Sequence, residues 1–435
     1  MSPALALARL REIGVQNLPL KPDDVRYLGL HNCKYADADA PCLAAFPKLE
    51  MLSFGAVPVT RKTMEHLASC RALKHLSLPK SDLRDEDMAC LAKLTDLRSL
   101  NAQETQLTAK VLAHIKGPSR LESLNLPQGV GREIIPYLAN LPNLRNFQPM
   151  PRGITDDDMK VLGQLQHLHA LDLQGSELTA EGYKHLANLH ELNSAYLSSR
   201  APPGAMVHLK DAQLVFLNFP DSSTEGEVAL FAGMKTVRFL RPPKDLTDAG
   251  LKVVAQYPAL EDLNLVQATR ITDQGLAALA EMNTLKRIHL YPALGDEGLK
   301  TLTRIGTLEF IHIDSNSRIT VQGFASLAAL PKLERLGLPA ALDDQGLEAL
   351  KGCRSLKAIY CQRSAVTAEG LKGLKSFPQL EELNLVQVKL TAKEYEAIKS
   401  LTGLKTLLLQ QCGVPAEEQA ALKAAFPKAH LGIYQ

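Results

Sequence analysis

The sequence has no tryptophan, only 5% aromatic residues and no excess of either charge, with 49 Lys and Arg against 47 Asp and Glu in 435 residues. Each shortage excludes something. Nucleic acid and anionic membrane surfaces call for a basic footprint, which a formal charge of +2 does not supply. No stretch approaches the ~18 apolar residues of a membrane helix. The N-terminus has no basic leader, and its apolar run is confined to Ala4–Ala8, so no secretory signal peptide is expected. The seven Cys form no C-x-x-C pair and are odd in number, which fits reduced thiols and a cytoplasmic location. The P-loop, nucleophile-elbow and zincin strings are missing as well.

Leucine is what the chain has in quantity: 77 residues, without any membrane-length run. Its distribution is periodic. The string L-x-x-L-x-L is clean at Leu73, Leu76 and Leu78, at Leu168, Leu171 and Leu173, at Leu260, Leu263 and Leu265, and at Leu404, Leu407 and Leu409. Counting weaker copies, 18 anchors run from Val25 to Ala429 at spacings of 22 to 25 residues. A second signal keeps the same phase, as in Leu246-Thr-Asp-Ala-Gly-Leu251, Ile271-Thr-Asp-Gln-Gly-Leu276, Leu294-Gly-Asp-Glu-Gly-Leu299, Leu342-Asp-Asp-Gln-Gly-Leu347 and Val366-Thr-Ala-Glu-Gly-Leu371. Thr or Asp there is a natural helix N-cap, and the apolar residues that follow three apart mark one face of a short helix.

Each unit thus reads as strand, turn, helix, turn. One unit cannot bury its apolar face alone, whereas stacked copies share a continuous core. Helices are wider than the ~4.8 Å spacing of strands, so such a stack curves. The expected fold is an α/β solenoid, a horseshoe with a parallel β-sheet on the concave face and short helices on the convex face. Eighteen strands would make an inner wall of roughly 80 Å.

The pattern resembles the leucine-rich repeat family. Its L-T-D-x-G-L motif is most similar to the helix-bearing classes, ribonuclease-inhibitor-like repeats and the ~24-residue GALA-type repeats of bacterial proteins. The resemblance covers residues 25–433 and implies protein binding without naming a partner. GALA effectors carry an F-box ahead of their repeats. The 24 residues here are too few for one, so that adaptor role is not carried over.

Three regions are expected. Residues 1–24 form a capping segment whose Pro3–Ile13 helix places Leu7, Leu10 and Ile13 on one face. Residues 25–426 form the array, and 427–435 a degenerate strand. Irregularity is expected at 126–155 and 197–245, where Phe147-Gln-Pro-Met-Pro151, Ala201-Pro-Pro-Gly204 and Arg241-Pro-Pro243 interrupt the strands or their exits.

Cysteine and histidine follow repeat phase. Cys70 and Cys353 take a slot that Leu94, Leu165 and Phe377 fill elsewhere, and Cys361 replaces a core Leu. Cys33 and Cys412 share a ninth position with Thr105, Ser176, Ser364 and Asn316. Cys42 and Cys90 sit two repeats apart, about 10 Å, too far for a disulfide. Structural thiols are the favoured reading over metal or catalytic use. His167, His169, His185 and His190 occupy turns, a helix slot and a strand start rather than converging tetrahedrally. No catalytic residue, metal or cofactor is expected. Helical charges such as Lys252, Glu297 and Lys372 read as a solvated convex face, with a second contact surface as the alternative.

In L-x-x-L-x-L, positions three and five point away from the core onto the concave wall. In the first half they are small and polar: Ser99 and Asn101, Ser123 and Asn125, Asn146 and Gln148. From the eighth unit they become aromatic and basic. The candidate partner-binding residues are Tyr196, Phe216, Phe239, Arg241, Arg287, His289, Phe310, His312, Arg335 and Tyr360. Aromatic rings and Arg dominate binding hot spots, and three exposed Phe on one wall are costly unless covered. Two plainer readings compete. The Phe rings could seal the sheet by packing across strands, or the register of Phe216 and Phe239 could be off by one, turning them inward.

The leading reading is a non-enzymatic scaffold gripping a protein or peptide on its concave face. The alternative is a bacterial effector or inhibitor acting on a foreign protein. A glycan or RNA ligand is less favoured, and the even charge argues against RNA.

Overall fold

The computed structural model describes residues 1–435 except 79, 116–118, 292, 314–316 and 435; Asn316 lies outside the described residues. The chain divides into two compact units, Met1–Leu214 and Val215–Gln435.

Unit 1 opens with the helix Pro3–Glu12. Ser2 is its N-cap, Pro3 sits in the first turn, and Ala6, Leu7 and Leu10 are buried. The strands are β1 (Tyr27–Gly29), β2 (Met51–Ser53), β3 (His75–Ser77), β4 (Ser99–Asn101), β5 (Ser123–Asn125), β6 (Asn146–Gln148), β7 (Ala170–Asp172) and β8 (Ser194–Tyr196). β1 to β6 make a parallel sheet in chain order, with Leu28, Leu52, Leu76, Leu100, Leu124 and Phe147 side by side. β7 belongs to a separate sheet and pairs with β8, placing Leu171 beside Ala195.

Unit 2 holds β9 (Phe216–Asn218), β10 (Phe239–Arg241), β11 (Asp262–Asn264), β12 (Arg287–His289), β13 (Phe310–His312), β14 (Arg335–Leu338), β15 (Ala358–Gln362), β16 (Glu382–Val386), β17 (Thr406–Gln410) and β18 (His430–Tyr434). All ten are parallel and pair in chain order. The register is continuous through β9 and β10, despite the prolines nearby: Phe216 faces Phe239, and Leu217 faces Leu240. Leu217 and Leu240 are each 2% exposed and Phe216 is 38% exposed, so the Phe rings point outward and the off-by-one register is excluded. From β14 onward the strands lengthen from three residues to four or five.

The crossovers differ from a uniform set of α-helices. Asp248–Val254 and Asp296–Leu302 are α-helical, whereas Asp85–Lys93, Ala109–His114, Ala205–Leu209 and Gly275–Leu279 are 3₁₀ turns. A 3₁₀ turn spans more distance per residue, about 2.0 Å, so it returns the chain within a short repeat. The helical wall still needs more width per repeat than the strand wall. In each unit the strands therefore line the inner side of the curve.

Where it is present, the acidic residue of the helix-start motif ties one repeat to the next, a role that helix capping alone does not explain. The Thr is the N-cap: Thr247 Oγ1 accepts from Ala249 N–H, and Thr320 Oγ1 accepts from Gln322 N–H. The Asp one place after the N-cap instead reaches into the following repeat. Asp296 accepts from Thr320 N–H at 2.8 Å and from its hydroxyl at 2.6 Å, and Asp344 holds Thr367 in the same way. The motif glycine gives that carboxylate room: a Cβ at Gly275 would collide with Asp248. Where the preceding repeat lacks the carboxylate, the repeat caps itself. Ala368 stands in the Asp place before Thr391, and Thr391 is held by its own Glu394.

The thiols are free, and all but Cys33 are buried. Burial pushes Cys70 and Cys353 up to about 11 and Cys90 and Cys361 to about 12, which suits inert packing groups.

Candidate functional site

The outward positions of unit 2 form one connected surface. Phe216 and Phe239 stack across β9 and β10 with centroids 4.1 Å apart and planes 2° from parallel. The Arg287 guanidinium lies over the Phe239 ring, 5.3 Å from its centroid. Its Nε donates to Asp262 Oδ2 at 2.8 Å, so one carboxylate fixes the side chain against the ring. His289, beside Arg287 on the same strand, meets Phe310 edge-on at 5.2 Å and His312 at 5.7 Å. Burial, His312 and Arg287 together hold the His289 pKa below its usual value, against the opposing pull of Asp262.

These contacts change the expectation of three freely exposed Phe. Phe216 alone of the three is exposed; Phe239 is half-buried beneath Phe216 and Arg287, and Phe310 is half-buried beside His289. Cross-strand packing, one of the plainer alternatives, is therefore present, yet the packed cluster still faces outward. Arg241 donates to Gln267 across the neighbouring turn. Tyr196 is half-buried and lies in unit 1.

Next to the cluster the wall opens into a cleft of about 420 Å³. Its apolar floor is Phe310, Leu338, Cys361 and Val386. Its polar rim is Arg287, His312, Arg335, Tyr360 and Gln362. Gly337 sits in register between His312 and Tyr360 and is itself buried. A Cβ there would run into the His312 ring. Arg335 is exposed, with Phe310 and Ala358 as its strand neighbours. Burial raises the Tyr360 pKa, helped by Glu382 and opposed by Arg335.

Leu338, Cys361, Gln362 and Val386 were not candidates on sequence. Leu338 and Cys361 are the last positions of their own strings and read as core, whereas Gln362 and Val386 reach the cleft because β15 and β16 run one residue past the string. Gly337 was legible as a ladder position, but not as one whose side-chain space the His312 ring takes.

The remaining wall is neutralised internally. Glu50 pairs with Arg26 and Lys74 at 2.7 Å each, and Glu261 pairs with Arg238 and Lys286, so charged residues just after several of the anchors pair across neighbouring strands. In unit 1, Glu191 joins Arg145 and His167 at 2.8 and 2.7 Å. Among the described residues no group of three or more His, Cys, Asp or Glu is placed to hold a metal. On the helical wall a groove of about 630 Å³ is lined by Val321, Leu347 and charged groups such as Lys351, Glu369 and Lys372. It is larger than the cleft, but its mixed charges converge on no one chemistry and Asp344 is already engaged by Thr367. Lys252, Glu297 and Lys372 are exposed. Among the described residues no helix is long and apolar enough to cross a membrane.

Parallel strands in unbroken register, Leu-lined on one face and returned by short helical crossovers, define a leucine-rich repeat protein. The family model "Leucine Rich repeat" matches residues 164–187. An internalin from Listeria monocytogenes is 15% identical with a TM-score of 0.39, over 88% of this chain and 93% of that one. A leucine-rich repeat protein of Leptospira interrogans is 16% identical with a TM-score of 0.37, over 98% and 97%. The leucine-rich repeat ectodomain of an Arabidopsis thaliana membrane receptor kinase, solved with Casparian strip integrity factor 2, is 14% identical with a TM-score of 0.48, over 93% of this chain and 61% of that one. No curated protein sequence matches the chain.

Proposed function

We propose that the chain is a non-enzymatic scaffold that binds a protein or peptide along the strand wall of unit 2. The observation that carries this reading is the run from Phe216 through Phe239, Arg287 and His289 to Phe310, a set of rings and one anchored guanidinium on the outward side of a regular sheet. Such groups combine large contact area with side chains already held in place, so little ordering remains to be done on binding. Regular spacing along the sheet suits an extended interface rather than a point contact. Free, buried thiols suit a reducing compartment, which supports a cytoplasmic site of action.

The test is affinity capture from the source organism with the wild type, an Arg287→Ala/Phe310→Ala double variant and a Ser99→Ala/Asn125→Ala double variant. The reading expects a protein retained by the wild type and by the second variant and lost with the first. Equal retention by all three would remove it.

A further inference from the structure

We infer that the cleft between β13 and β16 receives an acidic side chain and, two residues along the same extended segment, a bulky apolar one; this rests on the reading that the unit 2 wall binds peptide. Among the described residues, the only charged groups lining the cleft are Arg287 and Arg335, both cationic. Arg287 is already committed to Asp262 at 2.8 Å, and its guanidinium also rests on the Phe239 ring. Arg335 differs. It is exposed, and among the described residues no carboxylate pairs with it. The nearby carboxylates are engaged elsewhere, Glu334 with Lys357 at 2.7 Å and Glu382 with the Tyr360 side chain. A ligand carboxylate would meet a planar cation there that no described carboxylate pairs with, with Tyr360 and Gln362 on the rim beside it.

The floor beside this cation is apolar, built from Phe310, Leu338, Cys361 and Val386. At about 420 Å³ the cleft admits a large side chain in addition to the acid. An extended peptide turns alternate side chains to one side, roughly 6.7 Å apart, which fits a cleft crossing neighbouring strands spaced about 4.8 Å. Hence the spacing of two rather than one.

The test uses a displayed library of random twelve-residue peptides, selected on the full chain as wild type, Arg335→Glu and Phe310→Ala, each checked for unchanged thermal unfolding. Wild-type pools are expected to concentrate Asp or Glu two positions from Leu, Ile, Phe or Met. A synthetic peptide from that pool should lose about tenfold in affinity when its acid becomes the amide, or when the protein carries Arg335→Ala. The Arg335→Glu pool should place Lys or Arg where the acid stood. Pools without an enriched acid, or affinities indifferent to Arg335, overturn the inference. If such acid-free peptides still lose affinity on Phe216→Ala or Tyr360→Ala, the peptide-binding wall stands and only its chemistry is wrong. If peptides bind but ignore every wall substitution, or none is selected, both readings fall.

Discussion

Asp248 of one repeat accepts both the backbone N–H and the hydroxyl of Thr272 in the next, at 2.8 and 2.6 Å. Thr272 Oγ1 in turn accepts from Gly275 N–H at 3.3 Å, and Gly275 leaves the space the Asp248 carboxylate fills. The motif that looks like a local helix start is therefore also a bond between repeats.

This arrangement predicts a specific non-additivity. Asp248→Ala should cost about 1 kcal/mol, from two hydrogen bonds at an exposed edge. Gly275→Ala should cost about 1–3 kcal/mol, because its methyl displaces the carboxylate. In the Asp248→Ala background the Gly275→Ala penalty should vanish or reverse, since alanine is the better helix former. Denaturant unfolding of the four proteins checks it, and simple additivity would refute the coupling.

Thiol reactivity should separate one cysteine from six. Cys33 is half-buried, whereas Cys361 is 2% exposed with its thiol pushed to about 12 by burial. Brief alkylation at pH 8, read by peptide mass spectrometry, should label Cys33 first and Cys361 only after unfolding. Early labelling of Cys70, Cys90, Cys353 or Cys361 would mean the repeats open locally.

Acid should weaken the fold in two stages. His289 and His208 are held below their usual 6.5, mainly by burial, so the unfolded chain binds protons that the folded chain resists. Their contribution is complete above pH 6.5 and declines as the pH falls through that value. Glu225, Glu261 and Glu394 are held below 4.5 by hydrogen bonds from Thr247, Lys286 and Thr391 respectively, so their contribution is lost at still lower pH. Melting temperatures from pH 8 to 4 should show a plateau and then a decline, with the first stage smaller in His289→Asn. A melting temperature that rises between pH 7 and 5 would contradict this assignment.

The strands were legible because a Leu pattern copied at 22–25 residues allows one register, and Leu263 beside Ile288 beside Ile311 follows from it. The outward direction of Phe216, Arg287 and Phe310 follows from the same alternation. What each side chain meets across the sheet did not follow. Phe239 beneath Arg287 depends on a rotamer fixed by Asp262, and the cleft draws Gln362 and Val386 from strands that outrun the motif. The Asp248–Thr272 bond was hidden for a different reason: the residues that cap a helix and those that link repeats are the same ones.

The most direct test is a calorimetric titration of one ligand, either the captured protein or a selected peptide, against four single variants of equal thermal stability. Phe310→Ala and Arg287→Ala should each weaken binding by about tenfold or more, equivalent to about 1.4 kcal/mol, while Ser99→Ala and Asn125→Ala should stay within about twofold. Equal losses across the four, or larger losses at Ser99 and Asn125, would show that the strand wall of unit 2 is not where this protein binds.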